Sequence, residues 1–178
     1  MEHSESLAQR LSAQRFRNRR REFALALAGL LGEGAPAPLG DPDRAAALSA
    51  EYRASYDVAA PSEWALVRRE WPAVEVTELV EAVHRLARNV GRRRVWVLGL
   101  GEDAQAAASD SDVVLDNPLG FAAVTGHQLA LLDAEVPAGV SLARHSHHFG
   151  PRVSFRWELE VWGEPWISAA TRALRGVG

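Results

Sequence analysis

Late in the chain, His145, Ser146, His147 and His148 form the densest group of metal-ligating side chains. In an extended strand His145 and His147 share a face, where neutral imidazoles suit zinc, nickel or copper. His127, Asp133 or Glu135 on a neighbouring strand would supply a third ligand. A zinc held this way lowers the pKa of a bound water to about 7, which is hydrolase chemistry. Histidines two apart also occur at polar hairpin tips, where they titrate near neutral pH, and that reading outweighs the metal site. No cofactor is expected, with zinc on His145, His147 and His127 as the alternative.

The second group is Gly99-Leu100-Gly101-Glu102-Asp103-Ala104, which follows an apolar run and has the form of a dinucleotide-binding turn, with Asp116 placed as a ribose acid. Arg94 to Asp116 spans 23 residues, whereas a strand, helix and strand of that kind need about 30. Glu102 and Asp103 would also set negative charge beside a pyrophosphate. A glycine turn leaving a central strand is the better reading. Asp110, Ser111 and Asp112, with Glu102, Asp103 and Asp116, make an acidic patch whose carboxylates could hold magnesium or calcium, but it lacks the pattern of a calcium hand and a solvated acidic loop is the better reading. No GxSxG elbow occurs and there is no cysteine, so no nucleophile stands out and no disulfide forms.

Two groups suit binding rather than catalysis. Arg17, Arg19, Arg20 and Arg21 sit on a helical stretch that could follow phosphates or mediate self-association. Tryptophan is abundant, at six, and tryptophan with arginine is the pair that most often anchors interfaces. Trp162 falls on the same strand face as Arg156, Glu158 and Glu160, and Trp166 opens the last helix close by. These five residues read as a partner-binding surface, unless the closing helix covers the indole of Trp162.

Elements that could position these groups follow from periodicity. Ser6 with Gln9 has the form of a capping box, and a helix without Gly or Pro runs from Leu7 to Leu31. Phe16, Phe23, Leu27, Leu30 and Leu31 give its second half an apolar stripe, so that half docks and the first projects. Residues 32–40 read as a linker. Asp41 and Pro42 open a helix to about Ser55, and Pro61 starts a short helix carrying Trp64 and Trp71. Val76, Leu79, Val80, Val83, Ala87 and Val90 mark the clearest helix, ended by Gly91.

Beyond Gly91 the period changes to two. Strands are predicted at 95–100, 113–115, 128–132, 140–145 and 153–162, the last two as a hairpin around Phe149-Gly150-Pro151. Val153, Phe155, Trp157, Leu159 and Val161 alternate with Ser154, Arg156, Glu158, Glu160 and Trp162, which predicts one core face and one wet face. Pro165 opens a closing helix that ends at Gly176. The fold class is therefore α+β: an N-terminal helical layer on a four- to five-stranded, mainly antiparallel sheet, with a short C-terminal helix. Residues 1–31 form the N-terminal helix and 41–178 a single domain.

Composition narrows the classes. Of 178 residues 47% are hydrophobic and 24% charged, a balance that buries a core without a membrane span. All 20 basic residues are arginine and alanine is about a sixth of the chain, the mark of GC-rich, bacterial-type coding. Residues 1–94 carry 15 Arg and 13 acids, and residues 95–178 carry 5 Arg and 10 acids, so neither half is basic enough to announce nucleic acid. The absence of cysteine fits a reducing cytoplasm. Arg19-Arg20-Arg21 before an apolar run and Ala35-Pro36-Ala37 resembles a twin-arginine export signal, but Glu22 and Glu33 flank the run with the wrong charge.

The expected function is binding without catalysis: a cytoplasmic protein-binding module, of inhibitor or immunity type, whose acidic, Trp-containing sheet face and His-rich hairpin engage another protein. The alternatives are the zinc hydrolase and an Arg-helix adaptor that binds nucleic acid or forms a homo-oligomer through its N-terminal helix.

Overall fold

The computed structural model describes residues 2–31, 41–62, 65–100, 105–149 and 152–175. The expected linker at 32–40, Trp64, residues 101–104 of the glycine turn, the hairpin turn at 150–151 and Gly176 lie outside them. The chain runs α1 (Glu2–Leu31), α2 (Pro42–Ala59), β1 (Leu66–Pro72), α3 (Val76–Val90), β2 (Arg94–Gly99) and β3 (Gln105–Asp110). It continues through α4 (Ser111–Asp116), α5 (Pro118–Val124), β4 (Gln128–Asp133), β5 (Gly139–Phe149), β6 (Arg152–Trp162) and α6 (Trp166–Leu174). Six strands form one antiparallel sheet in the order β1-β6-β5-β4-β2-β3, and the fold is α+β.

Local sequence explains most elements. In α3 the stripe Leu79, Ala82, Val83 and Leu86 is buried, and Gly91 ends the helix at φ 74, a conformation that costs glycine least. Asp41 caps α2 by accepting the Asp43 N–H at 3.1 Å. That helix runs past Ser55 to Ala59, because Tyr52, Tyr56 and Ala59 extend the inward face begun by Ala45 and Leu48.

Two elements differ in type from the sequence reading. Val113 to Leu115 belong to helix α4, which lets the consecutive Val114 and Leu115 both enter the core; a strand would turn one outward. Leu66 to Pro72, read as the end of a short helix, is edge strand β1. Its Trp71 pairs with Trp157, and Pro72 ends it where a missing N–H costs nothing.

The sheet is covered on both faces. On one lie α3, α6, α4, α5 and the second half of α1, over Val95, Val97, Leu129, Leu131, Val140, Leu159 and Val161. On the other lies α2, over Leu98, Ala106, Ala130, Leu132 and Trp162. The expected wet face is therefore half covered, by a helix from before the sheet.

The first helix starts at Glu2, so Ser6 lies inside it rather than capping it, and its two halves differ in burial. Phe23 and Leu27 are buried, and the Phe23 ring sits 3.5 Å from where a Cβ on Gly99 would be. Leu7 and Leu11 are exposed.

Candidate partner-binding hairpin

The β5–β6 hairpin outruns its neighbours. Strand β4 pairs with β5 only as far as Ala143, and β1 pairs with β6 only as far as Arg156. Beyond these points Arg144 to Phe149 and Arg152 to Phe155 form a two-stranded ribbon standing out from the sheet. Its β5 edge has no strand beside it among the described residues, so its outward amides and carbonyls are open to an added strand. Val153 and Phe155, which the alternation assigned to the core, are 49% and 42% exposed because the core stops where the flanking strands stop. The Arg144 guanidinium lies 4.2 Å from the Phe155 ring centroid, a cation–π stack that holds both side chains on one surface.

Charge on the ribbon has one sign. Between Arg144 and Phe155 the chain holds Arg144, Arg152, His145, His147 and His148 and no Asp or Glu. His145 and His147 share a face, as the spacing predicted, and that face also carries Arg156 and Glu158. His145 Nε2 is 3.6 Å from Glu158 Oε1. Burial, reinforced by Glu160, raises the Glu158 pKa, while Arg68 and His145 oppose the rise.

His127 stands apart in role, at φ 69 in the turn before β4. Its N–H donates to the Ala122 carbonyl and its own carbonyl accepts from Arg144. Among the described residues no group of three or more His, Asp or Glu is disposed to hold a metal ion.

The acidic, Trp-containing surface does not stand open. Trp162 is fully buried under α2, donating to Ser55 Oγ at 3.0 Å and meeting the Tyr52 and Tyr56 rings edge-on at 5.1 and 5.2 Å. Its exposure was unsettled in the sequence, and the cover comes from α2 rather than from the closing helix. Trp166 is also fully buried and donates to Asp133 at 2.7 Å. Glu160 is buried and neutralised by Arg68, with the Tyr56 hydroxyl donating at 2.9 Å. Arg156 donates to Glu70 at 3.0 Å and holds that carboxyl below its usual range. Of the five residues expected to meet a partner, Trp162 and Trp166 are structural, Glu160 is internally paired, and Arg156 and Glu158 border the ribbon.

The remaining sequence motifs serve structure. Strand β3 begins at Gln105 and pairs antiparallel with β2, which leaves no room for a crossover helix after Gly99. Asp116 ends α4 and offers its carbonyl to His84 Nε2 at 3.0 Å. Asp110 is held by Arg92 and Arg94 at 3.1 and 3.2 Å. A cleft of about 310 Å³ beside it mixes His84, Arg88 and Arg92 with Asp112 and Asp116, with no buried unpaired group aimed into it.

Sequence reasoning missed Asp133 as a hub. It receives the Arg93 guanidinium, the Trp166 indole and the backbone N–H groups of Glu135 and Val136. Burial raises its pKa, and these donors outweigh burial to leave it lowered. The available signal was an Asp ending an apolar strand, two residues before Glu135. No family model matches the sequence, and no curated protein or solved structure is significantly similar to it.

Proposed function

We propose that this protein is a non-catalytic binding module that docks on an acidic partner protein through the β5–β6 ribbon. The observation that carries the reading is Phe155, exposed at 42% and stacked under Arg144 on a two-stranded ribbon that the sheet does not support. An isolated hairpin is marginal in water, and a partner that covers it gains apolar area and strand pairing together. Aromatic and arginine side chains dominate interface energetics. Five cationic or titratable groups without a carboxylate among them select an acidic surface, which shifts the contact from the acidic sheet face to the basic hairpin. Within this class an inhibitor or immunity-type role suits a small domain in which no catalytic group is assembled among the described residues.

Photo-crosslinking in cells from positions 153 and 155, with Val58 on α2 as an exposed control, tests the reading. One acidic protein captured from the ribbon and not from position 58 is the expected result. Its binding to the purified chain should fall at least tenfold with Phe155→Glu at unchanged melting temperature. Equal capture from position 58, or binding that survives Phe155→Glu, overturns it.

A further inference from the structure

The two edges of the β5–β6 ribbon differ in what their backbone offers. The Arg144 N–H donates to the His127 carbonyl at 3.1 Å, on the side where β4 lies. Backbone groups alternate in direction along a strand, so Ser146 and His148 turn their N–H and C=O groups to that same side. His145 and His147 turn theirs to β6, opposite Arg156 and Ser154. Strand β4 pairs no further along β5 than Ala143, so among the described residues no strand meets Ser146 or His148, and both are exposed. The β6 edge is less open, because the single turn Ala73–Glu75 after β1 stays packed against β6.

Side chains beside the open edge set what fits it. His145 and His147 lie on one face of the ribbon; Arg144, Ser146 and His148 lie on the other with Phe155, which pairs with Ser146 across the ladder. A strand added along β5 places one residue opposite each of 145 to 148. The carboxylates of the histidine face stand on its far side, with Glu158 at 3.6 Å from His145 and Glu70 held by Arg156. The open side of the two imidazoles is thus left to acids of the added strand. Opposite Ser146 the added residue stands about 10 Å from β6, two strand spacings away. Ser146 is small, so a large apolar side chain there reaches over it toward the Phe155 ring, which already carries the Arg144 guanidinium at 4.2 Å.

A second copy of this chain fits the same edge poorly. Two β5 edges laid antiparallel would set Arg144, His145 and His147 of one copy against those of the other, with like charges opposed.

We infer that the ribbon takes an extended segment with the pattern acid–apolar–acid, added antiparallel to β5 and bonded through the backbones of Ser146 and His148. This rests on the ribbon reading above and specifies how the partner is held: main-chain bonds supply affinity and alternate side chains supply choice. Antiparallel pairing matches every other pair in the sheet and is the more stable form per residue.

Fluorescence anisotropy of the full chain with the labelled, end-blocked peptide Ser-Thr-Glu-Phe-Glu-Thr-Ser tests this. In the antiparallel register the peptide phenylalanine exchanges both of its backbone bonds with Ser146, so N-methylation of that residue should weaken binding about tenfold. Replacing both glutamates by lysine should abolish binding. Ser146→Pro deletes the outward N–H and no β5–β6 bond, as an edge position permits, and should weaken binding about fivefold at unchanged melting temperature. Ser146→Ala should bind as the parent does. Because N-methylation alters only the peptide, it gives the answer even where the proline change disturbs the ribbon. No binding at about 1 mM peptide, binding indifferent to N-methylation, equal binding of the lysine peptide, or a dimer dissolved by Ser146→Pro would each overturn the inference. If the peptide fails while positions 153 and 155 still capture one acidic protein, strand addition falls and the ribbon reading stands; if that protein's binding survives Phe155→Glu, the reading falls and the inference with it.

Discussion

Replacing Trp162 by alanine separates a partner anchor from a structural residue. An anchor would be lost without harm to folding. In the structure the indole is fully buried between the sheet and α2, donates to Ser55 Oγ and contacts two tyrosine rings. Emptying such a site costs about 3–5 kcal/mol, because transfer energy is lost and a cavity remains. Gly139 shows how tightly the site is closed: a Cβ there would lie 2.6 Å from the indole ring and 2.5 Å from the Leu131 carbonyl. Relaxation into the vacated space is therefore limited on that side, and a value near 4 kcal/mol is expected. Against a total of about 5–15 kcal/mol this removes a large share of stability. For a chain of this size it lowers Tm by roughly 8–16 °C. Urea titration followed by circular dichroism at 222 nm reads the change directly, with the denaturant slope held as a check on two-state behaviour. A loss below about 1 kcal/mol would refute the placement of Trp162 in the core, and with it the position of α2.

Phe155→Ala should cost under about 0.5 kcal/mol in the same titration, since the ring is half in water and its removal leaves no cavity. Asp133→Asn should cost about 3–5 kcal/mol, because Arg93 and the Trp166 indole lose a buried carboxylate, and a melt at pH 7 reports it. The Asp133 carboxyl is held below its ordinary value of 3.8, so its contribution is present above that pH and fades as pH falls through the folded value. Acid titration should show a limb that flattens in Asp133→Asn. Glu158 has the opposite sign: its raised pKa gives stability that is full below the ordinary carboxylate range and lost as pH rises. Glu158→Gln should accordingly match or slightly exceed the parent in Tm at pH 7 and lose that advantage near pH 4.

Where one element sufficed to bury a stripe, the sequence was legible. Helix α3, its glycine stop, the Asp41-Pro42 start of α2 and the alternation of β6 follow from residue spacing alone. What spacing does not encode is the side of the sheet on which a helix lands. Tyr52 and Tyr56 have the same period whether α2 joins the main helical layer or crosses to the other face, and the exposure of Trp162 stayed unsettled in the sequence because its cover comes from a segment more than 100 residues earlier. The same limit hid the ribbon. Val153 and Phe155 continue a faultless alternation past the point where β1 and β4 end, and only the register of neighbouring strands reveals that the core has stopped.

The edge position of β1 bears on how the chain is made. Leu66 pairs with Trp162 and Trp71 with Trp157, so β1 leaves the ribosome about 5–20 s before its partner strand β6 exists, at ordinary rates of synthesis. Through that interval Leu48 and Tyr52 of α2 also lack the indole they will cover. Arg68, Arg69 and Glu70 at the middle of the waiting segment give it charge that resists pairing with another nascent chain. Arg68 later turns that charge onto Glu160 of the arriving strand, so one residue guards the segment during translation and fastens it afterwards.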